Sequence, residues 1–352
     1  MTTSNETNDQ MSMQSDVGAS NIEGNRTFSY LGPNTASLNV RMGGTQTMAD
    51  GTTIPTWFFG SGFNSDRTVP SPVIEGIEGD TMQVTLRSQM PHSIHFHGLD
   101  VDQANDGVPS TSGYVARMRG SGMMNFGRVR GYTNLGSPFT YTFTAPHAGT
   151  YAYHCHVDTV LHFEMGMYGT VIIRPPNGST NRAWAGGPSF DKEYIWHLHA
   201  FDSSWHSGMG GGMGGMGGMG GMGGMVSGPG TVRHRPDYFM INGRDGNNTL
   251  TDPATAIEAG PRQKVLIRLN NVGYQLARVK LGGVKFDVIA SDGRPLAQTI
   301  RTRSQWIAPG ERYDILVTMP WSGIKTAAVD YYHIRGDGTL LGTAVTSITT
   351  AE

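Results

Sequence analysis

The chain has 352 residues, of which 37% are hydrophobic and 15% charged, and its formal net charge is −2. A chain of this length has room for two domains of ordinary size. The near-neutral charge argues against a nucleic-acid-binding surface and no apolar run approaches the ~20 residues that span a bilayer, so we expect no nucleic-acid partner and no membrane span.

The first half of the chain is predicted to be a sandwich of short strands behind a polar tail. Residues 1–27 are predicted to be disordered, and they lack the charged and then apolar pattern of a signal peptide. Beyond them, β-branched and aromatic segments alternate with Gly, Pro, Asn and Asp, as in strands joined by turns. With no long helical periodicity, residues 28–178 are predicted to form an all-β sandwich, and its strands include residues 81–88, 93–99, 139–145, 149–156 and 169–175.

The second half repeats the pattern of the first. The segment IEGDTMQVTLRS (77–88) resembles IEAGPRQKVLIRL (257–269), and TYAYHCH (150–156) has a counterpart in VDYYHIR (329–335). Two related sandwiches in tandem explain this repetition most simply. The second domain is therefore predicted to cover residues 186–350.

A low-complexity segment at residues 208–228 is rich in Met and Gly and is predicted to be a flexible loop. One interpretation is a solvated linker. The other is a soft thioether site for Cu(I), whose ligands would be Met209, Met213, Met216, Met219, Met222 and Met225.

Histidines and the chain's single cysteine concentrate in two predicted strands, HSIHFHG (92–98) and YHCH (153–156). Because successive side chains of a strand point to opposite faces, each strand offers a histidine pair on one face and one further ligand on the other. The paired strands would bring together His95, His97, His154 and His156. Behind them would lie His92 and Cys155, which His162 and a methionine can reach from the following loop.

His92, Cys155, His162 and a methionine together have the ligands of a blue-copper site, namely two histidines, a cysteine thiolate and a weak axial methionine. The face with four histidines has the imidazole-rich character that copper prefers. Zinc is the main competing metal, but a zinc site would prefer a closed tetrahedral set. Zinc would also leave the histidines on both sides of the cysteine unexplained.

The motifs HSIHFHG and YHCHVDTVLHFEMGMYG resemble the copper motifs of the multicopper oxidases, the family of the laccases. The resemblance implies tandem cupredoxin-like Greek-key β-sandwiches. It also implies a type 1 copper held by His92, Cys155, His162 and Met167. Met167 is favoured over Met165 because the family's axial ligand falls five residues after that histidine.

The resemblance implies a type 2 copper at His95 and a type 3 copper pair at His97, His154 and His156. In the family, a small reductant or a metal ion gives electrons to the type 1 copper. The bonds from Cys155 to His154 and His156 then carry those electrons to the copper cluster that reduces O₂, so these three residues are the expected catalytic ones. Family members are mostly exported, so the resemblance implies a periplasmic or extracellular protein.

The chain departs from the family pattern in two respects. The spacing from Cys155 to His162 is two residues longer than usual, and the second half has no His-x-His pairs where the family's cluster requires them. A neighbouring subunit of a homotrimer could complete the cluster, or the cluster could be incomplete. A third arrangement would use the remaining histidines of the second half, which are His197, His199, His206 and His234; His147 and His333 are interpreted as structural.

Three functions stay open at this point. The first is a laccase-like oxidase, in which Asp106, Asp158 and Glu164 are candidate acid or metal-docking groups. The second is a copper nitrite reductase, whose type 2 copper would use His97 and His154. That family has a catalytic aspartate where His95 stands here. The third is a non-enzymatic copper-binding or electron-transfer protein of copper tolerance.

Overall fold

The computed structural model describes residues 29–61, 69–117, 133–134, 136–207 and 234–351. The predicted tail at 1–27 and the Met/Gly loop at 208–228 lie outside these residues. In the described part, strands dominate and the helices are short, which agrees with the predicted all-β class. None of the described helices is long and apolar enough to cross a membrane.

The first sandwich packs a five-stranded sheet, in the order β1-β4-β11-β10-β6, against a four-stranded sheet, in the order β3-β2-β5-β9. A pair of short strands, β7 and β8, and one helix, α1, complete it. The elements are β1 (Tyr30–Leu31), β2 (Thr35–Thr47), β3 (Thr53–Gly60), β4 (Val73–Ile77), β5 (Thr81–Arg87), β6 (His95–His97), β7 (Val115–Arg117), β8 (Thr133–Asn134), β9 (Phe139–Thr144), β10 (Gly149–His154), α1 (Thr159–Glu164) and β11 (Tyr168–Arg174).

Side-chain alternation explains how this sandwich forms its core. In β5, exposed and buried residues alternate, so that Met82, Val84 and Leu86 face inward. They share one apolar cluster with Phe96 and Tyr153 of the opposite sheet. Every residue of β10 is buried, because one face of this strand lines the core and the other lies against the second sandwich.

The second sandwich has a six-stranded sheet, in the order β13-β12-β15-β20-β17-β18, and a five-stranded sheet, in the order β14-β22-β21-β16-β19. Its apolar core includes Trp196, Phe286 and Tyr331. The elements are β12 (Lys192–Phe201), α2 (Ser203–His206), β13 (Tyr238–Ile241), α3 (Asn248–Thr251), β14 (Ile257–Ala259), β15 (Lys264–Asn271), β16 (Leu276–Leu281), β17 (Phe286–Ser291), β18 (Arg294–Thr302), β19 (Ser304–Ile307), β20 (Arg312–Thr318), β21 (Gly323–Tyr332) and β22 (Leu340–Thr350).

A buried charged network joins the two sandwiches. Arg174 of β11 binds Glu193 of β12 through its two terminal nitrogens at 2.9 and 2.8 Å. Arg268 Nε donates to the same carboxylate at 2.7 Å, and its Nη1 lies 3.2 Å from Asp314 and 2.7 Å from the Thr150 hydroxyl. Such a network requires complementary partners on both sides, so it specifies how the sandwiches dock.

Candidate metal centre

The first cluster of metal-binding side chains consists of His92, Cys155 and His162, whose ligand atoms all lie within 4.8 Å of one another. Cys155 Sγ is 3.5 Å from His92 Nδ1 and 3.1 Å from His162 Nδ1. All three side chains are buried. The structure therefore brings together three of the four residues predicted for the type 1 site.

The local backbone explains this geometry. Strand β10 ends at His154, so Cys155 and His156 lie just beyond it, and the predicted strand 149–156 is two residues too long. The longer spacing between Cys155 and His162 is taken up by helix α1 (Thr159–Glu164), which includes His162. The sequence periodicity did not predict this helix. Cys155 N–H donates to the Met167 carbonyl at 3.2 Å, and Met167 N–H donates to the His162 carbonyl at 2.9 Å. The main chain of Met167 is thus hydrogen-bonded to both Cys155 and His162.

Met167 and Met165 are both completely buried in the first-sandwich core. Burial alone does not distinguish them as axial ligands. The choice of Met167 over Met165 therefore stays a prediction.

Burial also sets the protonation of the first cluster. It lowers the pKa of His162 to about 4 and holds that of His92 well below its usual range. Both imidazoles are therefore neutral near pH 7 and have a free nitrogen lone pair. Burial raises the pKa of the Cys155 thiol to about 12, and a bound soft metal ion would displace that proton. This donor set fits copper.

The second cluster consists of His95, His97 and His154, whose ligand atoms lie within 4.8 Å of one another. Pairing of β6 with β10 sets His154 directly opposite His95. His97 Nδ1 is 3.3 Å from His154 Nε2. The His156 ring is half-buried, with its centre 5.2 Å from that of His95. The four histidines predicted to converge therefore lie on one side of the strand pair, with His156 at the edge.

Backbone carbonyls orient two of these rings. A carbonyl oxygen only accepts hydrogen bonds, so His154 Nδ1–H must donate to Cys155 O at 2.9 Å. In the same way His95 Nδ1–H donates to Asp106 O at 2.7 Å, and the Asp106 carboxylate lies 3.2 Å from the same nitrogen. In both rings Nε2 then carries the lone pair that can bind a metal, which is how protein groups around a metal usually orient its histidine ligands.

The histidines of the second sandwich do not reach this cluster in the described part of the chain. His197 bonds instead to the Thr170 hydroxyl at 2.8 Å and to Asn242 at 3.1 Å. Three more surround Glu164, at distances of 3.0 to 3.6 Å from its carboxylate oxygens; they are His199, His206 and His234. The arrangement in which these residues complete the copper cluster within one chain is therefore wrong.

The region of the second sandwich beside His97 contains Gly310 and Arg312. A side-chain carbon at Gly310 would lie only 3.1 Å from the His97 ring. Desolvation and the positive charge of Arg312 lower the pKa of His97 to about 4. This side of the cluster therefore carries a cation and a glycine rather than a further histidine.

Two other predicted features lie outside both clusters. Glu164, predicted as a docking group, is completely buried rather than facing solvent. His147 is exposed and His333 is partly buried, and neither belongs to a metal-binding group of the described residues. These two histidines remain structural in our interpretation.

Comparisons with known proteins agree with this geometry. Two sequence models described as multicopper oxidase match residues 37–177 and 221–347. The chain is 27% identical to multicopper oxidase MmcO of Mycobacterium tuberculosis over 71% of this chain and 46% of MmcO. It is 26% identical to laccase-1 of Cryptococcus neoformans over 70% of this chain and 37% of that laccase. The chain thus spans about half or less of the length of these curated relatives.

A copper-containing nitrite reductase of Neisseria meningitidis is 30% identical over 72% of this chain and 53% of the reductase. Among solved structures, the blue copper oxidase from Nitrosomonas europaea superposes with a TM-score of 0.64 at 25% identity, over 90% of this chain and 85% of that one. A copper nitrite reductase from the same organism shares the fold, with a TM-score of 0.61 at 20% identity over 91% of this chain and 94% of that one. The two matched regions, the Cys–His cluster and the tandem sandwiches together show that the chain belongs to the multicopper oxidase family.

Proposed function

We propose that this protein is a copper-dependent oxidase that removes single electrons from a small reductant or metal ion and delivers them to O₂. The observation that carries the proposal is the direct adjacency of the two clusters, since Cys155 belongs to the first and His154 to the second. We assign the type 1 copper to His92, Cys155, His162 and Met167. We assign the type 2 and type 3 coppers to His95, His97, His154 and His156.

Bound copper would supply one-electron redox chemistry at both clusters. The chain itself supplies the connection between them. The peptide bond between His154 and Cys155 is one link, and the hydrogen bond from His154 Nδ1 to Cys155 O is a second. The buried surroundings of Cys155 exclude water from the first cluster, so electrons can enter there without exposing the thiolate.

We propose that a second copy of this chain, in a homotrimer, completes the second cluster. The observation in favour is that no histidine described in the second sandwich contacts His95, His97 or His154. His156 at the edge of the cluster is half-buried, so a partner's ligand could approach from that side. The family resemblance further supports a periplasmic or extracellular location.

Copper loading followed by metal counting and absorption spectroscopy tests the oxidase. We expect more than one copper per chain, a strong blue band, a near-ultraviolet shoulder and O₂ uptake with a reductant. A single blue copper without O₂ uptake would instead favour the electron-transfer function. Nitrite turnover would favour a nitrite reductase, a candidate kept because of the Neisseria relative.

The His97→Ala variant separates the two clusters. We expect it to keep the blue band, because His97 is not part of the first cluster. We expect O₂ uptake to fall by more than the roughly 10–100-fold that loss of a supporting residue around a metal costs. His147→Ala is the control, since His147 is exposed and outside both clusters. Equal O₂ uptake in both variants would contradict the assignment of His97.

A matched pair of methionine variants tests the axial ligand. Met167→Leu is expected to retain copper but to shift the blue band and the reduction potential, because the axial ligand tunes a blue-copper site. Met165→Leu, at an equally buried position, is expected to leave both unchanged. Each change conserves volume, so stability should fall by less than ~1.5 kcal/mol. The opposite pattern would move the axial role to Met165.

A further inference from the structure

The junction of β20 and β21 carries the two most exposed large hydrophobic side chains of the described residues. Trp321 is 74% exposed and Ile324 is 70% exposed. Trp321 lies in the turn between the strands, and Ile324 is the second residue of β21. A single exposed apolar side chain is ordinary on a protein surface. Two of them three residues apart form an apolar tip at one end of the second sandwich.

The loop that precedes β15 brings positive charge to this end. The Arg262 guanidinium carbon lies 5.6 Å from the centre of the Trp321 ring. Lys264 is the first residue of β15 and pairs with Thr318, where β20 ends. Both basic residues are exposed, so two cations lie on the end of the sandwich that carries the indole.

The loop between β16 and β17 brings further cations to the same end. Its Gly282 approaches β21 so closely that a side-chain carbon there would lie 2.7 Å from Cβ of Lys325. Lys285 ends the same loop, directly before β17. Arg303, between β18 and β19, donates through Nε to the Gly283 carbonyl at 3.3 Å. All three of these basic residues are exposed.

The charge at this end is predominantly positive. In the described part of the chain, no ion pair involves any of the five cations, which are Arg262, Lys264, Lys285, Arg303 and Lys325. Carboxylates are fewer. Asp287 is already paired with Arg301, Asp191 accepts a hydrogen bond from the Lys264 backbone at 2.7 Å, and Glu258 lies on β14, two strands from β21. On a chain of net charge −2, this concentration of unpaired cations attracts anions.

An anionic lipid bilayer matches both the apolar tip and the charge. Indole rings favour the interface between headgroups and hydrocarbon, and the Ile324 side chain gains free energy by leaving water. Lys and Arg side chains are attracted to anionic headgroups. A soluble polyanion would neutralise the cations but would leave Ile324 in water.

We propose that this end of the second sandwich binds the surface of an anionic phospholipid bilayer, with Trp321 and Ile324 inserted among the headgroups. The binding surface, called the Trp321 surface below, consists of these two residues and the five cations. Binding of this kind is peripheral and reversible, because it combines a small apolar area with charge attraction.

The copper side of the protein faces away from the bilayer in this arrangement. Strand β20 begins at Arg312, which packs against Gly98, the neighbour of His97. The strand ends at Thr318, beside the Trp321 surface. Six steps of about 3.4 Å along an antiparallel strand separate its ends by roughly 20 Å. The histidines around His97 are therefore held at a distance from the lipid.

Sedimentation with lipid vesicles tests the proposal on the full-length protein. We expect binding to phosphatidylcholine vesicles that contain about 30% phosphatidylglycerol and no binding to phosphatidylcholine alone. Added salt should weaken the binding, because it screens the attraction between charges. Metal-free and copper-loaded protein should bind equally, so the result is independent of the oxidase proposal. Absence of binding to the anionic vesicles at low salt, with or without retention on heparin, would overturn the proposal.

Matched variants locate the binding surface. Lys325→Gln should weaken binding to the anionic vesicles about five-fold, the share of one cation at such a surface. Arg335→Gln, beyond the opposite end of β21, should bind like the wild type. Ile324→Ala should also weaken binding roughly five-fold, whereas Ile334→Ala, at a position 61% exposed beyond that opposite end, should not. All four residues are exposed, so circular dichroism should be unchanged. Equal binding within either pair would contradict the proposed surface.

Fluorescence quenching tests the insertion of Trp321. Trp321→Phe keeps an aromatic side chain, so it should still bind the vesicles, but it removes the fluorophore at the tip. Brominated phosphatidylcholine in the anionic vesicles should therefore quench the wild type more strongly than this variant. Equal quenching of the two proteins, both bound, would show that the tip stays outside the bilayer and would overturn the proposal.

Discussion

The Cys155→Ser variant is expected to lose the blue absorption band and to oxidise its reductant more than ~100-fold more slowly, a larger loss than that of a supporting residue around a metal. The reason is that a serine hydroxyl is neither soft nor readily deprotonated, so it cannot replace the thiolate in a blue-copper site. Absorption spectroscopy of the copper-loaded protein and steady-state O₂ uptake measure the two effects.

The controls for Cys155→Ser separate lost chemistry from lost folding. Cys155 is the chain's single cysteine, so no disulfide is removed, and serine is similar in size. Metal-free wild type and variant should therefore show the same circular dichroism and similar denaturant midpoints. A variant that stays blue would refute the assignment of Cys155 to the type 1 site, whatever its activity.

The Arg268→Met variant is expected to lose about 3–5 kcal/mol of unfolding free energy, the cost of breaking a buried ion pair by removing one partner. Arg268 has no exposed side-chain surface and contacts Glu193, Asp314 and Thr150. Methionine fills much of the space but leaves Asp314 without its cation in the core. Urea denaturation of metal-free protein near pH 7 gives the measurement.

The matched control is Arg301→Met, in the same sandwich. Arg301 pairs with Asp287 at 2.9 Å, but its side chain is 59% exposed. Exposed pairs contribute roughly 0–1 kcal/mol, so this variant should be nearly as stable as the wild type. In the double variant Arg268→Met/Asp314→Asn, part of the lost stability should return, because the stranded charge is removed. Equal losses in the two single variants would mean that burial does not determine the effect.

The division of the copper ligands between two clusters was predictable from residue order. Successive side chains of a strand point to opposite faces, and His154 and Cys155 do belong to different clusters, although β10 ends at His154 and Cys155 lies just beyond it. The predicted strand 93–99 is shorter in the structure, where β6 covers only His95–His97 and His92 lies before it. Helix α1 was missed because six residues are too few to show a helical period.

The sequence showed each histidine that surrounds Glu164, but it could not predict that these residues lie together. His234 is 70 positions from Glu164, and the two residues belong to different sandwiches. The only sequence signal was that His199, His206 and His234 remained after the copper motifs had been assigned. No spacing rule connects such residues, because their approach depends on how one sandwich docks on the other.

The sequence by itself determined the all-β class, the tandem arrangement and which residues share each face of the strands that carry the histidines. These are local properties, since they follow from side-chain alternation and turn residues within a few positions of one another. Only the tertiary structure decided that three histidines of the second sandwich lie against Glu164 and that Glu193 pairs with Arg174. Those contacts depend on the docking of two large surfaces, where burial requires every charge to find a partner across the interface.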